Sequence, residues 1–187
     1  MQKLTLSGLF LFLTLHAVSA QIPISVRGGL NLSTISGVSE SYALRPDIHV
    51  GVFLRLKILK GLYCLPEVQY SGEGFQYPNK MNQTHNNYLN LPLMLRFYPE
   101  DKVIYIEGGA QKGFLLSSKV YNPSIAILKE NVLSQYTALN FGLGARWNAH
   151  FEFGARGIFG LDKKELRPNW SARYRNLVFQ LSAQWNL

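Results

Sequence analysis

Cysteine is almost missing from this chain. Cys64 is the only one, so no internal disulfide can form, and it stands too far from the N-terminus to be a lipoprotein acyl cysteine. Histidine is nearly as scarce. Beyond the first twenty residues only His49, His85 and His150 remain, none spaced with another His, Cys or carboxylate as metal ligands are. No metal and no cofactor is expected. Long apolar runs are also lacking: after residues 4–15 nothing approaches the roughly 20 apolar residues a helix needs to cross a bilayer. The chain is basic, with a formal net charge of +8, yet its positive residues fall on alternating strand positions and in loops and make no basic helix, so nucleic acid is not an expected partner. Linkers, low-complexity tracts and internal repeats beyond a hairpin rhythm are absent, which leaves one domain.

What is present begins with an export segment. Met1, Gln2 and Lys3 make a short positive start, residues 4–15 are predominantly apolar, and Val18, Ser19 and Ala20 supply small residues before Gln21. This reads as a cleaved signal peptide over 1–20, with the mature domain at 21–187. Cleavage removes Lys3, so 18 basic residues face 11 acids and the net charge becomes +7.

The mature chain is written in period two. Over residues 47–58, Ile48, Val50, Val52, Leu54, Leu56 and Ile58 alternate with His49, Gly51, Phe53, Arg55 and Lys57, a pattern with no helical counterpart. Residues 87–98 repeat it with Leu89, Leu91, Leu93, Leu95 and Phe97 on one face, and residues 175–187 with Leu177, Phe179, Leu181, Ala183, Trp185 and Leu187. Weaker versions cover 24–32, 62–71, 103–115, 135–147 and 151–159. Eight strands result. Their connections alternate strictly: 33–46, 72–86, 116–134 and 160–174 are long, whereas 59–61, 99–102 and 148–150 are short. Outer-membrane barrels are wired this way, with tight periplasmic turns and longer outer loops. With the N-terminus in the periplasm, Tyr63, Tyr98, Trp147, Phe151 and Trp185 fall near the short turns, where an aromatic girdle is expected.

A soluble lipocalin-like barrel would show the same alternation with its apolar face turned inward. The composition of the other face argues against it. Gly29, Gly51, Gly109, Gly142, Gly144 and Gly154 share that face with Tyr105 and Phe53, a mixture of small and bulky residues suited to a crowded lumen rather than to water. The same face carries Arg27, Arg55, Arg96, Arg146 and Arg156 with Glu67, Glu107 and Glu152. Buried charges must be paired, because an unpartnered one costs several kcal/mol, so these eight are expected to form a lumen charge network. The fold expected is therefore all-β, an eight-stranded antiparallel up-and-down transmembrane barrel in the cell outer membrane of a Gram-negative cell.

Three stretches carry a family resemblance. Leu65, Pro66, Glu67, Val68, Gln69, Tyr70 and Ser71 with Gly74 come first, followed by Asn87, Tyr88, Leu89, Asn90, Leu91, Pro92 and Leu93. Glu107, Gly108 and Gly109 with Gly113 and Leu115 complete the set. In this order they resemble PorT-like outer-membrane β-barrel proteins of the porin family, over essentially the whole mature chain. The chain departs from that pattern at Asn90, usually acidic, and at its terminal Leu187, usually Phe. The resemblance implies a small outer-membrane barrel of mostly unassigned role, some of whose relatives are associated with protein secretion.

Catalytic patterns are sparse. His85 with Ser71 and Glu73 is the one set that could support an outer-rim enzyme acting on lipid or peptide, and nothing in the chain orients the three, so no catalytic residue and no enzyme activity is expected. A narrow pore is a further alternative. Recognition belongs to the loops. Lys163, Lys164, Arg167, Arg173 and Arg175 with Trp170 and Tyr174 form a basic-aromatic stretch able to hold phosphates and sugar faces of lipopolysaccharide. Expected partners are thus outer-membrane lipid and lipopolysaccharide, the barrel-insertion machinery during biogenesis, and an unidentified periplasmic or secretion partner, for a monomeric barrel with a structural or surface-interaction role at the cell surface.

Overall fold

Alternating apolar and polar residues let each segment present one face to each side of a sheet, and the sheet closes on itself. A computed structural model describes residues 23–37, 42–76, 83–99, 103–121, 135–162, 164–165 and 173–187. Its strands are β1 (Ile24–Ser36), β2 (Arg45–Leu54), β3 (Leu56–Leu59), β4 (Leu62–Gln76), β5 (Gln83–Phe97), β6 (Ile104–Tyr121), β7 (Gln135–Arg146), β8 (Phe151–Gly160), β9 (Lys164–Glu165) and β10 (Arg173–Asn186). Every pairing is antiparallel, in the order β1-β2-β4-β5-β6-β7-β8-β10, and β1 pairs with β10 from Ser25 opposite Asn186 to Ser36 opposite Arg175. That last ladder closes the barrel. β3 continues the path of β2 along β4, and β9 is a two-residue strand on β10, so ten strands make eight staves. No helix occurs among the described residues, and the expected signal segment 1–20 lies outside them.

The molecule is turned inside out relative to a soluble protein. Leu30, Ile48, Val50, Leu93, Ile106, Phe141, Leu143 and Leu181 lie more than half exposed on the outer wall, while Asn31, Gln69, Asn90, Arg96 and Asn140 are completely buried inside. In water that arrangement would expose a continuous apolar surface; in hydrocarbon it suits a closed wall whose strands pair their backbones with one another. The lipocalin-like alternative, with its apolar face inward, is the reverse of what is found.

Several boundaries differ from the sequence reading. The stretch 47–58 is interrupted at Arg55, whose backbone N–H donates to Pro23 O at 3.1 Å instead of to a neighbouring strand. At the long-loop end the strands run further than expected: β1 reaches Ser36, β4 reaches Gln76, β5 starts at Gln83 and β6 runs to Tyr121. These extensions carry little apolar alternation, and their neighbours' backbone groups hold them in the ladder. The first short turn is tight. Lys60 and Gly61 join β3 to β4, and Gly61 has a φ of 80°, a conformation that a side chain disfavours.

The lumen is packed in layers. Phe53, Leu65 and Met94 form one apolar cluster, and Tyr88, Leu115, Tyr136, Ala138, Ile158 and Val178 form another toward the long-loop end. Polar and charged side chains fill the remainder.

Candidate functional site: the lumen and the long-loop rim

Period two aims alternate side chains inward, and the charged ones converge. Arg27 comes from β1, Arg55 from the break between β2 and β3, Glu67 from β4, Arg96 from β5, Glu107 from β6, Arg146 from β7, and Glu152 and Arg156 from β8. Glu107 accepts from Arg96 Nε at 2.9 Å and Nη2 at 2.7 Å, and from Arg156 Nε at 3.0 Å. The other end of Arg96 donates from Nη1 to Glu152 at 2.7 Å. Glu152 also meets Arg55 at 3.0 Å and Arg146 at 3.1 Å. Glu67 lies 3.3 Å from both Arg27 and Arg156. The eight residues thus make one chain of ion pairs reaching across the lumen.

Arg96 is its hinge. The guanidinium spans two carboxylates, is completely buried, and lies over the Tyr105 ring at 3.9 Å, so charge, hydrogen bonding and cation–π attraction coincide. Gln184 links the same two groups, accepting from Arg96 at 3.0 Å and donating to the Tyr105 hydroxyl at 2.7 Å. Tyr105 fits because Gly144 and Gly154 face it: a Cβ on Gly144 would lie 2.3 Å from the phenol Cζ and hydroxyl, and one on Gly154 would lie 2.4 Å from the hydroxyl. Inside such a narrow barrel, small residues on two staves make room for one large residue from a third.

Two expected girdle residues belong to this interior instead. Tyr98 is only 3% exposed; its hydroxyl donates to Glu152 at 3.0 Å, and its ring stands edge-on to Tyr63 at 5.6 Å. The signal was available, because Tyr98 shares the parity of Arg96. Trp147, Phe151 and Trp185 do face outward at the short-turn end, Trp147 being 79% exposed and Phe151 standing edge-on to Trp185 at 4.4 Å.

A second polar cluster, missed in the sequence, lies above the first. Glu73 accepts from Ser71 at 3.1 Å, Asn90 at 3.0 Å and the Tyr136 hydroxyl at 2.9 Å. His49 meets Asn31 at 2.7 Å and Ser182 at 3.0 Å. The trio proposed for catalysis does not assemble. Ser71 and Glu73 join inside the lumen, while the ring nitrogens of His85 contact Arg45 and Asn87, each at 2.8 Å, with Asp47 at 3.3 Å. Arg45 falls in the stretch 33–46, which the sequence pattern assigns to a loop and the structure places at the start of β2. No cluster of three or more potential metal ligands occurs among the described residues.

Of the basic-aromatic stretch, Lys163, Arg167 and Trp170 lie outside the described residues. Lys164 falls in β9, whose backbone pairs Tyr174 with Lys164 and Arg173 with Glu165, and Arg175 follows on β10 with its side chain exposed.

The fold has close counterparts among solved structures. Ail, the attachment invasion locus protein of Yersinia pestis, is similar with a TM-score of 0.56 at 13% identity, over 90% of this chain and 100% of that one. Neisserial surface protein A is similar with a TM-score of 0.57 at 9% identity, over 88% of this chain and 97% of that one. At such identities the likeness speaks for the fold alone. No curated protein matches the sequence. Residues 18–164 match the model of a family described as outer membrane protein beta-barrel domain, so the inverted barrel with its charged lumen belongs to that family and resides in the cell outer membrane.

Proposed function

We propose that this barrel works from its surface and not through its centre, as a non-enzymatic structural or surface-interaction protein of the outer membrane. The observation that carries this reading is the filled lumen, where ion pairs tie opposite staves together beneath an aromatic and aliphatic layer. A signal peptide over 1–20 delivers the chain to the periplasm, the insertion machinery folds it as a monomer, and the short turns stay periplasmic. The PorT-like affiliation rests on the motifs at 65–74, 87–93 and 107–115, and no role in secretion is carried over with it.

The long-loop rim then faces outward, and its basic-aromatic stretch supplies the contact. Lys163, Lys164, Arg167, Arg173 and Arg175 with Trp170 and Tyr174 suit an anionic, sugar-bearing partner. Ail of Yersinia pestis, in a second structure similar to this chain with a TM-score of 0.51, is in complex with the heparin analogue sucrose octasulfate, which supports a polyanion as the class of ligand. Replacing the five basic residues of the stretch by glutamine tests the reading. Binding of lipopolysaccharide to the folded barrel should fall at least tenfold, with a slope against salt concentration that flattens; unchanged binding and unchanged salt dependence would refute it.

A further inference from the structure

Lys112 and Lys119 on β6 are seven residues apart, an odd separation that an unbroken strand would send to opposite faces. They share the outer face. Asn87 of β5 pairs with Ser117, but Tyr88 pairs with Leu115, so Leu116 is an extra residue in the ladder. Below this bulge Leu115 is buried and Lys112 exposed; above it Ser118 is buried and Lys119 exposed. A bulge re-aims the side chains that follow it, and here it turns a second lysine onto the wall that already carries the first.

The two lysines sit at different heights. Lys112 lies between Leu91 and Thr137 on the neighbouring strands, one residue pair below Leu89 and Phe114 near the upper margin of the apolar belt, a gap that its four-carbon stem can span. Lys119 stands opposite His85, well above that margin. Six or seven residues of strand separate them by about 20 Å, or about 15 Å in height at the usual barrel tilt. Between them Asn87 donates to Ser117 at 2.9 Å. No acidic side chain points outward from the described residues of β5 or β6; of the acids on neighbouring elements, Asp47 is held by Arg45, and Asp162 accepts from the backbone N–H of Thr137 on its β8 side.

We propose that the outer wall of β5 and β6 is a docking strip for lipopolysaccharide, Lys112 meeting a phosphate of the lipid anchor and Lys119 an anionic group of the core sugars. A phospholipid carries its phosphate at one height and reaches only Lys112. Lipopolysaccharide carries anionic groups on its anchor and again on its core, and it alone spans both levels while its acyl chains cover Leu91 and Leu93. The strip rests on the orientation and surface role proposed above and is separate from the loop stretch 163–175.

Native mass spectrometry of the folded mature chain in detergent tests the strip, titrated with lipopolysaccharide of phosphorylated core, with lipid A lacking the core, and with phosphatidylglycerol. Lys119→Gln should weaken the first about fivefold, the effect of one lysine beside an anionic surface, and leave the other two unchanged. Lys112→Gln should weaken all three by a similar factor. Both side chains are exposed, so the heat-dependent gel mobility of the barrel should match wild type. Wild-type affinities in both variants, or equal loss of lipid A and complete lipopolysaccharide in Lys119→Gln, would overturn the strip. If only the five-residue loop variant loses binding, the strip fails and the surface reading stands; if the wild-type barrel binds none of the lipids, both fail.

Discussion

Arg96 shows how one residue can hold a barrel shut. It is completely buried, joins Glu107 to Glu152 and packs on Tyr105. Removing one partner of a buried ion pair leaves an uncompensated charge in a low-dielectric interior, which costs about 3–5 kcal/mol. Arg55 is different. Its side chain is 13% exposed, it donates to Asn186 at 2.7 Å, and it meets one carboxylate, Glu152, which keeps Arg96 and Arg146 when Arg55 is lost. Arg96→Leu should therefore destabilise the folded barrel by about 3–5 kcal/mol, and Arg55→Leu by clearly less, because Glu152 is left with two arginines instead of losing its central one. Urea unfolding in lipid vesicles, followed by tryptophan fluorescence, separates the two; equal losses would mean that the ion pairs do not act as the geometry implies.

At the scale of the strand, the legible part of the sequence was the part constrained by two different solvents. Where hydrocarbon lies on one side and a packed lumen on the other, each residue must declare its face, as His49 beside Val50 does. The alternation gave the faces of β2, β5 and β10 through their membrane portions, and it gave the parity that gathers Arg27, Glu67 and Glu107. It failed beyond the bilayer. Residues 72–76 and 83–86 carry no apolar alternation, yet their backbones remain paired, because backbone hydrogen bonds continue after the lipid has stopped selecting side chains. The break at Arg55 and the bulge at Leu116 were invisible for a related reason, since both depend on what the neighbouring strand offers. Tyr63 and Tyr98 lie close to turns, yet the parity that they share with Leu65 and Arg96 sends them to the lumen side. The faces themselves can be tested on β2: Val50 is 56% exposed on the outer wall, so Val50→Arg should cost roughly 2–4 kcal/mol in vesicles near the midplane. Val50→Ala should cost less, since lipid fills the space. A tolerated arginine in an inserted barrel would mean that the faces are reversed.

Across the whole molecule, eight staves enclose a space that their own side chains occupy. Barrels of this size leave room for side chains and little else, and here the occupants are cross-linked. The charge network toward the short-turn end, the Glu73 and His49 hydrogen bonds above it, and the Tyr88–Tyr136 layer, with ring centroids 5.0 Å apart, lie in series along the axis. A route through the barrel would have to break all three. The surface role proposed above assigns the contacts to the outer wall and the rim. Planar-bilayer recording of the purified mature barrel tests this claim most directly: the filled lumen predicts no large, stable, porin-like conductance in the wild type, and a reproducible open channel of that kind would contradict it.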